Sequence, residues 1–216
     1  MMQKITTAAE AIKKIRDGDS IMIGGFLECG HPDVLVRKLA ESGPGNLTVI
    51  SNDTGTNETS SFNLVKSGKV TKIIASYIGL NPESGRLMMS GEAEIELVPQ
   101  GTLAERIRAG GTGLGGILTP VGIGTIVETG KQKMTIDGVE YLLELPLKAE
   151  IALIRADKSD ECGNLVIAGT ARNFNLIMAT AANYVVAEVD EIVKTGEIDP
   201  GEVTVPGIFI DAIVKR

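Results

Sequence analysis

The strongest constraint on the fold lies in thirteen residues, Ser20-Ile21-Met22-Ile23-Gly24-Gly25-Phe26-Leu27-Glu28-Cys29-Gly30-His31-Pro32, where an apolar strand runs into a glycine turn and then a helix start. Gly24, Gly25 and Gly30 carry no Cβ, so the chain can turn at positive φ and a ligand can lie against peptide N–H groups. A bared backbone beside a helix N-terminus is a natural anion site. Pro32 suits the first helical position, where its missing N–H costs nothing.

The same grammar of strand, turn and helix repeats along the chain. Thr7-Ala8-Ala9-Glu10 has capping-box spacing, and Ala8, Ile12 and Ile15 share a face until Asp17-Gly18. Ser20 to Ile23 reads as a buried strand, and Val34, Leu35 and Leu39 mark a helix ending near Gly43-Pro44-Gly45. Residues 47–50 and 70–75 are short β-branched runs, separated by a polar loop and a short helix ending at Gly68. Asn81-Pro82-Glu83 offers an N-cap, a proline at the first position and an acid in the first turn. A strand over 95–98 leads through Pro99-Gln100-Gly101 into a helix over 102–108, with Thr102 or Gln100 near its cap. Residues 110–124 hold seven glycines and predict an extended loop or bent strand. Asp137-Gly138 signals a hairpin turn, and strands at 151–154 and 184–189 flank a helix around 175–182.

Alternation of this kind implies an α/β fold, a mainly parallel sheet with helices on both faces and a β-hairpin excursion, in a single domain over residues 1–216. No internal repeat or linker interrupts it. Hydrophobic residues at 43% with aromatics at only 3% suit aliphatic strands between helices. Ligands of such sheets bind at the carboxyl ends of the strands, where both glycine turns fall. The net charge of −7 offers no field for nucleic acid. No apolar run approaches a membrane span and the amphipathic N-terminal stretch has no signal-peptide core, so a cytoplasmic protein is expected. Cys29 and Cys162 are far apart in sequence and His31 is the one histidine, so disulfide scaffolds and metal sites of histidine or cysteine are not expected.

Each chemical motif has a plain structural reading beside it. Gly111-Thr112-Gly113-Leu114-Gly115-Gly116 satisfies G-x-G-x-x-G literally, but it follows a helix where a dinucleotide fingerprint must follow a strand, so close backbone packing is the better reading. Cys29 and His31 would make a nucleophile pair, yet residues two apart do not readily face one another; Cys29 then packs and His31 caps the next helix. Glu28 reads equally as a base or covalent carboxylate and as an acid placed where the helix dipole favours it. Gln100 can donate to a developing oxyanion or cap its helix. Arg106 and Arg108 are read as solvated, and Asn52-Asp53 as a turn that can also belong to the cleft.

The stretch from Asp17 to Pro32 resembles the signature of class I coenzyme A transferase alpha subunits. Residues 98–111 and 118–125, Ala171-Arg172-Asn173-Phe174-Asn175 and Val189-Asp190-Glu191-Ile192-Val193 are similar to that family as well. The resemblance implies the family's α/β fold and its reaction: CoA passes from an acyl-CoA to a free carboxylate through an acyl anhydride and a glutamyl-CoA thioester. It implies that the nucleophilic glutamate lies in a Ser-Glu-Asn-Gly motif of a beta subunit, paired in an α2β2 heterotetramer. This chain contains no Ser-Glu-Asn-Gly, so it is expected to hold no catalytic nucleophile and to be inactive alone. By resemblance, Gly24, Gly25, Phe26, Leu27, Glu28, Cys29 and Gly30 bind CoA, a substrate rather than a tightly held cofactor, and Gln100 lies near the reacting carbonyl. With Phe26, Leu114 and Ile117 available as an apolar wall, short acyl groups such as acetyl, butyryl or acetoacetyl are expected. The competing reading is a non-catalytic binding module for CoA or a sugar phosphate, since related folds occur in sugar-phosphate isomerases.

Overall fold

The structure is a computed structural model, and residues 4–216 are described. The first three residues of the amphipathic N-terminal stretch lie outside them. Eight strands form one sheet in the order β1 (Ile5–Thr6), β12 (Ala212–Lys215), β11 (Ala182–Val193), β9 (Ala149–Asp160), β2 (Ser20–Ile23), β3 (Leu47–Asp53), β4 (Val70–Tyr77) and β5 (Glu94–Leu97), with every neighbouring pair parallel. A ninth strand, β10 (Leu165–Val166), pairs antiparallel with β9.

Strand alternation divides the interior into two cores, because successive side chains point to opposite faces. Met22 joins one cluster with Ile50, Ile74 and Ile154, whereas Ile21 and Ile23 join the other with Val49, Ile73 and Leu153. Helices α5 (Gln100–Thr112) and α6 (Phe174–Met178) cover the first face through Leu103, Ile107, Ile177 and Met178. The second is covered by α1 (Ala8–Ile12), α2 (Asp33–Ser42), α3 (Ser60–Lys66) and α4 (Pro82–Ser90), which bury Ile12, Leu35, Leu39, Leu64 and Leu87.

The predicted caps and turns form where local chemistry dictates them. Thr7 Oγ1 accepts from Glu10 N at 3.3 Å, and Asn81 Oδ1 accepts from Glu83 N and Ser84 N at 3.0 and 3.2 Å. Asp137 and Gly138 take φ of 50° and 79°, the pattern that joins antiparallel strands with their native twist. Their hairpin links β7 (Lys133–Ile136) to β8 (Val139–Glu144), and β6 (Ile117–Thr119) completes a separate three-stranded sheet.

Other elements differ from expectation. Residues 110–112 extend α5, and only β6 lies within the glycine-rich stretch to residue 124. Packing explains the extension: a Cβ at Gly110 would overlap Leu147 O, and one at Gly111 would overlap Thr180 Oγ1, so these glycines let the last turn of α5 press on neighbouring backbone. Helix α6 ends at Met178, short of residue 182, because β11 already begins at Ala182 and runs twelve residues beside β9. Arg106 is not solvated. Its Nη1 donates to Glu96 Oε1 at 2.8 Å and its Nε to Leu145 O at 3.0 Å, while buried Glu144 binds Lys131, a network that clamps the small sheet to α5. Arg108 stays exposed against Glu105.

Candidate active site

The order of strands reverses between β2 and β9: connections from β2 lead outward through β3, β4 and β5, and those from β9 through β11 and β12. A crevice outside the carboxyl ends follows at such a point. Into it β2 delivers residues 24–32. These close on themselves, with Phe26 N donating to Cys29 O and Cys29 N to Phe26 O, both at 3.0 Å, and with Leu27 at φ 50°. Gly25 adopts φ 107°, and a Cβ there would sit 3.1 Å from the His31 Cα, so a side chain there would be strained by the backbone and crowded by its neighbour.

Distant residues hold this loop from two sides. Leu27 N donates to Asp53 Oδ2 at 2.9 Å. On the other side, fully buried Asn175 donates through Nδ2 to Gly30 O and Ala171 O, each at 2.9 Å, and accepts from Arg155 N through Oδ1 at 2.9 Å. A buried amide bound to backbone of three separate segments ties the exit of β2 to β9. Asn173 Nδ2 adds a bond to Cys29 O at 3.0 Å. Pro32 stands at the N-cap of α2 rather than inside its first turn. His31 does not cap that helix: its Nε2 lies 2.7 Å from Ser61 Oγ, and burial lowers its pKa against the pull of Asp33 and Asp53. Cys29 Sγ is 3.0 Å from Thr170 Oγ1, so no Cys29–His31 pair forms.

The loop is a poorer anion cradle than its glycines predict. Gly24 N donates to Leu153 O at 2.9 Å, and the amides of Phe26, Leu27 and Cys29 are likewise spent within the fold. Carboxylates gather instead. Burial, then the charges of Asp33 and Asp53, raise the pKa of Glu28 from its ordinary value. Beside it opens a cavity of about 410 Å³ lined by Glu28, His31, Asp33, Arg155, Asp157 and Arg216 among others.

Gln100 reaches the same edge from the end of β5. It does not cap α5, whose N-cap is Pro99 without a side-chain bond. Its Nε2 donates to Asn52 Oδ1 at 2.6 Å, Asn52 Nδ2 donates to Asp53 Oδ2 at 2.7 Å, and Ser76 Oγ donates to Asn52 O at 2.8 Å. Four consecutive strands, β2 to β5, are thus laced by one string of side chains ending in the exposed amide of Gln100. Among the described residues no cluster of His, Cys, Asp or Glu could hold a metal ion, and no helix is long and apolar enough to cross a membrane.

Beneath the loop, Glu188 of β11 is wholly buried and its Oε2 accepts from Leu35 N at 3.0 Å, capping the first turn of α2 from across the sheet. Its Oε1 has no hydrogen-bond partner and lies 3.9 Å from Arg216 Nε. Burial raises its pKa, and the Leu35 amide and the Arg155 and Arg216 charges offset this only in part. A carboxyl raised in the folded state stabilises the fold in its protonated form, and that contribution is lost as pH rises through the raised value. Melting temperatures of wild type and Glu188→Gln between about pH 4 and about pH 8 should therefore shift in the variant's favour as pH rises. A difference that moves the other way would show that the charged form is the stabilised one.

A sequence model described as Coenzyme A transferase matches residues 5–216. The chain belongs to the coenzyme A transferase family. It is 52% identical over 214 residues to the acetate CoA-transferase subunit alpha of Escherichia coli (strain K12), covering 99% of this chain and 97% of that protein. To the acetoacetyl-CoA:acetate/butyrate CoA transferase alpha subunit of Clostridium acetobutylicum it is 50% identical over 201 residues, covering 93% and 92%. Its fold matches the acyl-CoA transferase YdiF of E. coli O157:H7, solved as a thioester complex with CoA, with a TM-score of 0.90 at 24% identity. This chain, covered to 99%, spans 47% of that longer one.

Within this coenzyme A transferase chain the glycine turn, Gln100 and Asn52-Asp53 converge on one edge as their strand-end positions suggested. Asn175, Arg155 and Glu188 were not singled out by sequence reasoning. The similarity of residues 171–175 to the family was the one available signal for Asn175, and it carried no hint of what the asparagine holds.

Proposed function

We propose that this chain is the alpha subunit of a heteromeric CoA-transferase moving CoA between a short-chain acyl-CoA, such as acetoacetyl-, acetyl- or butyryl-CoA, and a free carboxylate. What carries the reading is identity of about half over nearly the whole length to two proteins named as alpha subunits of acetate and acetate/butyrate enzymes. The chain is read as one cytoplasmic domain, with CoA as substrate, no tightly bound cofactor, and no nucleic acid or membrane as partner. Ser-Glu-Asn-Gly is absent from its 216 residues, so the nucleophilic glutamate is assigned to a beta subunit in an α2β2 assembly.

In this reading the partner's carboxylate attacks the thioester carbonyl, the CoA thiolate leaves, and an acyl anhydride forms. Each residue here has a supporting task. The Gln100 amide carries two N–H groups and spends one on Asn52, so the other is free for the oxyanion that develops on the carbonyl. Its place on the string from Asn52 to Leu27 fixes that donor before substrate arrives. Glu28, Asp33 and Asp53 disfavour phosphate at the glycine loop, which supports the neutral pantetheine arm rather than the nucleotide as what passes Gly24, Gly25, Phe26, Leu27, Glu28, Cys29 and Gly30. An anhydride hydrolyses readily, so a cleft closed between two subunits protects it by excluding water.

The test is to purify the chain with and without a beta partner bearing Ser-Glu-Asn-Gly and assay acetoacetyl-CoA with acetate. Turnover is expected from the pair alone. Robust turnover by the single chain would overturn the division of roles, and calorimetric binding of a sugar phosphate, unaffected by any partner, would favour a binding module instead.

A further inference from the structure

One face of the small sheet is apolar and left open to solvent. Residues paired across an antiparallel sheet share a face, so the pairing of Met134 with Tyr141, Ile136 with Val139 and Leu118 with Leu143 gathers six apolar side chains on one side of β6, β7 and β8. The opposite side, which carries Lys133, Thr135 and Glu140 near the turn, is the one that packs at its root. There Leu142 and Glu144 are buried, and Glu144 meets Lys131 and Arg106. The alternation thus runs against the usual pattern of a sheet with one wet face, polar outward and apolar inward. Leu118, Met134, Ile136 and Val139 are 37 to 47% exposed, and Leu145, just past β8, is 61% exposed. Their open area is on the order of 400 Å², the scale at which an apolar patch marks a contact surface.

We propose that the beta partner docks on this face through an apolar, uncharged surface of its own, and that the contact anchors the complex beside the reacting edge. The assignment rests on the CoA-transferase reading, in which the partner brings its carboxylate to Gln100. A chain seated there extends over the neighbours of Gln100, Pro99 and Gly101, and these line one groove with Leu118 and Val121. Leu118 belongs to the apolar face, so contact at the cleft runs on to contact with the sheet. The two surfaces divide the work for a physical reason. Around Gln100 stand Asn52 and Asp53, with the carboxylates of Glu28 and Asp33 close by, and covering such groups costs their hydration. Covering the sheet face is favourable at every side chain. A standard interface takes about 800 Å² from each partner, and the face supplies roughly half of it. A second copy of this chain fits less well, because each copy carries a net charge of −7 and like-charged chains repel.

The experiment places a charge on each side of the hairpin and titrates the full chain with its beta partner by calorimetry. Ile136→Lys and Val139→Lys, on the apolar face, should each weaken association about 100-fold. Thr135→Lys, on the opposite side of the same strand, should change it by about twofold or less. Melting temperatures of the separate chain should stay within about 2 °C in all three, since the replaced side chains are exposed. Unchanged affinity in both face variants, or an equal loss in Thr135→Lys, overturns the docking face while CoA transfer by the unaltered pair keeps the CoA-transferase reading. If the unaltered pair assembles but transfers no CoA, that reading has failed, and the affinities still judge the face. Light scattering names the rival occupant: a separate chain that is dimeric, and that Val139→Lys makes monomeric without loss of partner affinity, gives the face to a second copy and overturns the proposal. Should a lysine variant not fold, methyl resonances of Ile136, Val139 and Leu143 in the unaltered chain decide. They should shift when the partner is added, and no shift overturns the assignment.

Discussion

Gly24→Ala should destabilise the chain by about 3 kcal/mol or more, lowering its melting temperature by about 10 °C. The new Cβ would overlap Asn175 Oδ1 and lie 2.8 Å from Asn175 Cγ. Asn175 cannot swing away cheaply, because its amide binds Arg155 N, Gly30 O and Ala171 O in a site sealed from water. Moving it would leave buried backbone groups unpaired, at about 1–3 kcal/mol each. A double-mutant cycle isolates this cause. Asn175→Ala should be destabilising by itself, and adding Gly24→Ala to it should cost little more, since the overlapping amide has gone. Additive losses would place the strain of Gly24→Ala elsewhere, and an unchanged melting temperature in the single variant would show that Asn175 yields easily.

Gln100→Ala should lower kcat about 100- to 1000-fold while leaving assembly with the beta partner intact. The asymmetry follows from position. Gln100 is exposed and sits in the first turn of α5, whose N-cap makes no side-chain bond, so truncation removes little that holds the fold. Asn52 Oδ1 keeps its contact with Ser76 Oγ at 3.1 Å, so the string of side chains survives without its last member. On the proposed reading, what is lost is a fixed donor for charge that develops only during reaction, and such a loss falls on kcat rather than on KM. A rise in KM with kcat unchanged would mean that Gln100 binds ground-state substrate alone. Unchanged kinetics would return it to bracing Asn52.

Both predictions depend on contacts that differ greatly in how visible they are beforehand. Asn81-Pro82-Glu83 and Asp137-Gly138 were legible because each acts within a few residues: a side chain caps the amides just after it, and a glycine supplies the positive φ that a tight hairpin demands. The parallel sheet was legible because short apolar runs alternate with helical patterns, and only burial on both faces satisfies such strands. Helix ends were less so, since α5 lengthens and α6 shortens through packing against Leu147, Thr180 and the start of β11. Capping by Gln100 or His31 was reasonable from spacing, but each side chain found a partner from another element, Asn52 and Ser61.

The sequence by itself determined the strands, the glycine exit of β2, the position of Gln100 at the end of β5, and the membership of the chain in its family. These rest on local propensities and on order along the chain, which a reader of residues can see. Only the tertiary structure decided what grips the loop and what surrounds it. Asn175 holds Gly30 across 145 positions, Glu188 caps Leu35 across 153, and Asp53 binds Leu27 across 26. Such partners meet because β9 and β11 stack beside β2, and a buried polar group takes whichever complement the packed sheet brings within reach. The acidic side chains Glu28, Asp33 and Asp53 come together beside the glycine loop for the same reason.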